Sequence, residues 1–100
     1  MESLISNHLA EIKLLFKKYD VKEAYLFGSA AKNNLAKDSD IDFLINFSNK
    51  TDFEKYGNNY FNLLYALQDL LKRDVDLVAE ETLSNPFLIE SINQSKIQLL

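Results

Sequence analysis

The stretch of this sequence best suited to chemistry is FGSAAKNNLAKDSDIDFLI, residues 27–45. It holds two aspartates, Asp40 and Asp42, set among apolar residues that alternate with them. In an extended strand, side chains at i and i+2 leave by the same face, with their Cα atoms roughly 6–7 Å apart. Two carboxylates so placed can share one Mg²⁺ or hold two metal ions a few ångströms apart. Gly28 and Ser29 stand ten residues upstream, where a strand turns into a helix. A glycine lets backbone N–H groups approach a phosphate closely. The start of the following helix adds donors and a favourable dipole. The Ser29 hydroxyl is a further donor, and Lys32, one turn on, is a point charge within reach of a phosphate. A carboxylate pair for metal and a Gly-Ser turn for phosphates together describe a triphosphate site.

Each feature alone has a plainer explanation. Gly-Ser after a strand is commonly a tight turn, aspartates at a strand start are commonly solvated edge residues, and Lys32 by itself is a solvated helix residue. Their occurrence together, in one register, favours the site.

Elements of definite kind must position these residues. Residues 3–19 carry Ile5, Leu9, Ile12, Phe16 and Tyr19 at three- and four-residue spacing, which predicts an amphipathic helix. Ser3 or Ser6 is the expected cap, and Lys17 and Lys18 suit its C-terminal end. Residues 22–27 read as a short strand entering Gly28-Ser29, and the Ala- and Lys-rich segment after it begins as a short helix. Asp38-Ser39 reads as a turn into DIDFLINF, the clearest strand. One face of that strand holds Ile41, Phe43, Ile45 and Phe47; the other holds Asp40, Asp42, Leu44 and Asn46. SNKTD is a loop. Residues 53–72 form a second amphipathic helix, its stripe made by Phe53, Tyr56, Tyr60, Leu64, Leu67 and Leu71. DVDLVA, residues 74–79, is a third strand with Asp74, Asp76 and Val78 opposite Val75, Leu77 and Ala79. Asn85-Pro86 starts a helix whose Phe87, Ile89 and Ile92 face the core, and IQLL is a final edge strand. The expected fold class is α+β, a small mixed sheet with helices packed on it. His8, alone on the first helix, carries no chemistry, and Tyr56, Tyr60 and Tyr65 read as packing residues.

The bulk numbers narrow the class. One hundred residues predict one domain spanning 1–100, with a single modest core. A hydrophobic share of 47% with two glycines and one proline leaves little material for disorder or linkers. With no cysteine, disulfides and thiolate metal sites are excluded. The first residues lack a basic region before their apolar positions, and no apolar run reaches the length of a membrane span, so the expected location is cytoplasmic and no membrane is involved. A net charge of −4 opposes direct nucleic-acid binding but not a metal-bridged nucleotide.

Gly-Ser, ten residues, then Asp-x-Asp between apolar strand residues resembles the polymerase-beta-type nucleotidyltransferase superfamily. The string GSAAKNNLAKDSDID is similar to its minimal nucleotidyltransferase branch, in which the antitoxins of HEPN–nucleotidyltransferase pairs are found. The resemblance covers nearly the whole chain and implies a polymerase-beta-like nucleotidyltransferase fold. It also implies a third carboxylate on a later apolar strand. Asp76 in DVDLV matches it; Asp74 competes but sits at the strand boundary. Where the family often has Arg-Gly, this chain has Lys32-Asn33.

The function expected is transfer of a nucleoside monophosphate, AMP from ATP, to a hydroxyl of a partner protein. Asp40, Asp42 and Asp76 are the catalytic and metal-holding residues of a two-metal Mg²⁺ site, and Gly28, Ser29 and Lys32 bind the nucleotide. The resemblance implies a helical HEPN-type toxin as partner, which supplies the acceptor that 100 residues have no room to bind. Two alternatives remain: the same fold neutralising its partner by contact alone, and an enzyme acting on a small molecule such as an aminoglycoside. The state of assembly, with itself or with the partner, is left open.

Overall fold

A four-stranded sheet in the order β3-β2-β1-β4 organises the computed structural model, which describes residues 2–48 and 53–100. The strands are β1 (Val21–Phe27), β2 (Ile41–Phe47), β3 (Val75–Ala79) and β4 (Ile97–Gln98). The helices are α1 (Ser3–Ser6), α2 (Leu9–Lys18), α3 (Gly28–Ala31), α4 (Phe53–Leu71) and α5 (Pro86–Ser95), with a 3₁₀ turn at Glu80–Thr82. β1 runs antiparallel to both β2 and β4, whereas β2 and β3 are parallel, so the sheet is mixed as expected. The long α4 supplies the crossover that a parallel pair requires.

Strand patterning decides which face is buried. Ala24 and Leu26 of β1, Ile41, Phe43 and Ile45 of β2, and Val75 and Leu77 of β3 share one core. Ile5, Ile12 and Phe16 from α1 and α2 complete it, with Leu63, Leu67 and Leu71 from α4. Phe16 meets Phe43 edge to face, ring centroids 5.7 Å apart. The other face of β2 carries Asp42, Leu44 and Asn46. Leu44 is nonetheless buried, between its register partners Tyr25 and Val78.

Several expectations need adjusting. The helix expected over 3–19 is two helices, broken at Asn7 and His8. His8 takes a non-helical backbone, and its Nδ1 bonds to the Leu4 carbonyl at 2.9 Å. Neither Ser3 nor Ser6 caps α1. Glu2 is the N-cap, and the Ser6 hydroxyl turns back to the carbonyls of Ser3 and Glu2. On α4 the stripe is rotated, with Leu63 fully buried and Leu64 half-buried. Of the SNKTD loop, residues 49–52 lie outside the described residues, as does the side chain of Phe53. Asn85 does cap α5, accepting from the N–H groups of Phe87 and Leu88, with Pro86 in the first turn. Ile92 faces the core and Ile89 is half-buried, but Phe87 points outward at 81% exposure. A side chain in the first turn of a helix that starts at the rim of the fold has nothing beneath it to cover.

Candidate functional site

Gly28 is where β1 ends and α3 begins. Its φ is +69°, in the left-handed region that favours glycine. Space favours the same choice. A Cβ built on Gly28 would lie 2.2 Å from Oδ2 of Asp42 and 3.1 Å from its Cγ. The antiparallel register explains the proximity, since Phe27 is the partner of Asp42. Gly28 therefore makes room for a carboxylate of the same site.

α3 is a single turn, so the dipole of a longer helix does not develop there and only its local N–H groups remain. Ser29 is half-buried, and its carbonyl accepts the Asn34 N–H at 2.8 Å. Lys32 is the C-cap of the turn and lies exposed.

Two of the carboxylates are brought level across two strands. Asp42 and Asp76 are register partners in the parallel β2–β3 pair, on strands about 4.8 Å apart. Both leave by the face turned away from the core. Burial, then the charge of Asp76, then that of Asp40 push the Asp42 carboxyl up from 3.8 to about 6. Tyr60 on α4 is also raised, by burial first and Asp76 second. Asp40 precedes β2 and is exposed. Asp74 precedes β3 and is exposed; its carbonyl accepts the Ile41 N–H at 3.0 Å. The charges that bear on Asp42 are those of Asp76 and then Asp40.

Hard carboxylate oxygens suit Mg²⁺, and a cation would relieve the repulsion that raises Asp42. By its donor chemistry the set fits such an ion. Among the described residues, no three acidic or histidine side chains already stand at metal-binding distance from one another. A polar cavity of about 530 Å³ opens beside Asp40, lined also by Lys37, Ser39, Arg73 and Asp74.

Two supporting residues carried no motif. The Tyr60 hydroxyl donates to the Leu77 carbonyl at 2.6 Å, tying α4 to the strand that bears Asp76. Arg73 donates to the carbonyls of Ala36 and Ser39, in the loop before Asp40. The one signal in the sequence for the latter is that Arg73 is the chain's only arginine.

The chain is similar to known proteins over most of its length. The family model described as "Polymerase beta, Nucleotidyltransferase" matches residues 10–100. A protein of Methanocaldococcus jannaschii assigned as a protein adenylyltransferase is 40% identical over 85 residues, covering 85% of this chain and 83% of the relative. A solved structure assigned as a minimal nucleotidyltransferase superposes with a TM-score of 0.75 at 27% identity, covering 93% of this chain and 90% of that one. A Shewanella oneidensis complex of a tri-AMPylated HEPN toxin with an MNT antitoxin matches with a TM-score of 0.67 at 23% identity, covering 95% and 71%; this likeness is one of fold.

Proposed function

Because the chain belongs to the polymerase beta nucleotidyltransferase family, we propose that residues 1–100 act as one Mg²⁺-dependent domain that transfers AMP from ATP to a hydroxyl of a partner protein. The observation that carries this reading is the pairing of Asp42 with Asp76 across β2 and β3, beside a glycine whose missing side chain makes room for Asp42. Asp40, Asp42 and Asp76 would hold the Mg²⁺, which would neutralise the triphosphate and the charge that develops on it. The backbone N–H groups at Gly28 and Ser29 and the Ser29 hydroxyl hold the outer phosphates, and Lys32 adds a point charge. Asp76 takes the proton of the acceptor hydroxyl as its oxygen bonds to the α-phosphorus. The bond from that phosphorus to the bridging oxygen breaks, and pyrophosphate leaves with the electron pair. Positioning and electrostatics supply most of the acceleration.

The acceptor belongs to a HEPN-type helical protein, and the chain serves as its antitoxin. The adenylyltransferase assignment of the Methanocaldococcus relative supports the reaction, and the partnership of the Shewanella fold neighbour suggests the acceptor class. No helix among the described residues is long and apolar enough to cross a membrane.

The test is incubation of the chain and a HEPN-type partner with ATP labelled at the α-phosphate. Label should become covalently attached to the partner only with Mg²⁺, and Asp42→Asn should abolish it. Neutralisation of the partner without ATP and without label would replace this reading with one of contact alone.

A further inference from the structure

Asp40 has no strand to hold it. It lies exposed, one residue before β2, in the loop that returns from α3. The residues on either side of it are nevertheless fixed, and by the same segment. On one side, Nη2 of Arg73 donates to the Ser39 carbonyl at 2.6 Å and to the Ala36 carbonyl at 2.5 Å. On the other, the Ile41 N–H donates to the Asp74 carbonyl at 3.0 Å. Arg73 and Asp74 form the junction between α4 and β3. Lys72, at φ +55°, closes the helix there with its N–H on the Gln68 carbonyl at 2.9 Å and reverses the chain. Asp76 follows three residues after Arg73. One short junction thus fixes the loop that carries Asp40 and begins the strand that carries Asp76.

We propose that Arg73 is a positioning residue that sets Asp40 against Asp42 and Asp76 by clamping the Ala36–Ser39 turn to the α4–β3 junction. The inference rests on the metal role given to the three aspartates above. An arginine suits the task. Its guanidinium stays charged, its donors are held in a rigid fork, and its bonds to carbonyls are charge-assisted. Within the turn, the Ser39 N–H donates to the Ala36 carbonyl and the Ala36 N–H to the Ser39 hydroxyl, so the two clamped carbonyls move as one unit. A lysine carries its ammonium on a flexible stem and holds the same two carbonyls less rigidly. Arg73 touches neither nucleotide nor metal in this scheme. It acts through the backbone next to Asp40.

The experiment is a Mn²⁺ titration of the nucleotide-free protein read by electron paramagnetic resonance, since a free triphosphate would itself bind the ion. The proteins are wild type, Arg73→Ala, Arg73→Lys, Asp40→Asn and the double variant Asp40→Asn/Arg73→Ala. Residues that orient metal ligands typically contribute about 10- to 100-fold in metal affinity, so Arg73→Ala should weaken Mn²⁺ binding about tenfold and Arg73→Lys should restore part of it. In the Asp40→Asn background the same Arg73→Ala change should matter less than about twofold, because the two act as a unit. Equal losses in both backgrounds would assign Arg73 a general structural role and overturn the proposal, as would unchanged binding by Arg73→Ala. If Arg73→Ala does not fold, Arg73→Lys and its Asp40→Asn double variant carry the same comparison. Wild type that binds no Mn²⁺ overturns the metal reading and this one with it; wild-type binding that Arg73→Ala leaves intact overturns the role of Arg73 alone.

Discussion

Replacing Asp42 by asparagine should stabilise the protein near neutral pH when no divalent cation is present. The Asp42 carboxyl is pushed to about 6 in the folded chain, against 3.8 ordinarily, by burial and by the charges of Asp76 and Asp40. Between these two values the folded chain keeps a proton that the unfolded chain has already lost. Stability therefore falls as pH rises from about 4 to about 6, and the whole deficit remains above that. Each pH unit of separation corresponds to about 1.4 kcal/mol, so the upper bound is about 3 kcal/mol. Asp42 is only partly buried, and solvent screening brings the expected effect to about 1 kcal/mol. Asparagine does not titrate and has nearly the shape of aspartate, so it escapes the deficit. For a domain of this size, about 1 kcal/mol moves the melting temperature by roughly 4–8 °C. Thermal unfolding of wild type and Asp42→Asn in EDTA, from pH 3.5 to 7.5, measures the difference. The two should melt together at the acid end, with the mutant pulling ahead through pH 4–6. A mutant that melts at or below wild type at pH 7, or a difference that does not vary with pH, would refute the burial of Asp42 and its repulsion by Asp76 and Asp40.

Three further outcomes are expected. ATP should bind measurably by calorimetry with Mg²⁺ and much more weakly in EDTA, since bare carboxylates repel phosphates; equal affinities would remove the metal from the site. Gly28→Ala should lower the melting temperature by the equivalent of about 1 kcal/mol or more and weaken nucleotide binding, because the new Cβ meets Asp42 and a left-handed backbone penalises any side chain. A variant that melts and binds like wild type would contradict that geometry. Tyr60→Phe removes the hydroxyl bonded to the Leu77 carbonyl and should cost about 1 kcal/mol in denaturant unfolding, with no change expected if the bond is absent in solution.

The residues proposed for chemistry were legible in the sequence because strand geometry is periodic. Asp42, between Ile41 and Phe43, declares a buried face and a carboxylate face without reference to the rest of the chain, whereas Asp40, expected on the same strand, falls one residue before β2 and is placed by its loop. The same alternation set Asp76 opposite Val75 and Leu77, and the Asn85-Pro86 pair announced α5 through local capping chemistry. Local signals end where contacts join distant segments. No pattern within residues 40–79 says that β3 lies parallel beside β2 with Asp76 level with Asp42; that depends on the α4 crossover and the order β3-β2-β1-β4. Gly28 reads in sequence as a phosphate turn, and only the β1–β2 register reveals the Asp42 carboxylate in the space a side chain there would take. The pattern of α4 marks an apolar stripe, but packing on the sheet chose Leu63 over Leu64 as the residue to bury. Phe87 was misplaced for a related reason, since periodicity tells which residues share a face and not whether another element lies beneath it. Arg73 stood outside every motif because it acts on backbone carbonyls some 35 residues away, and carbonyls are present at every position.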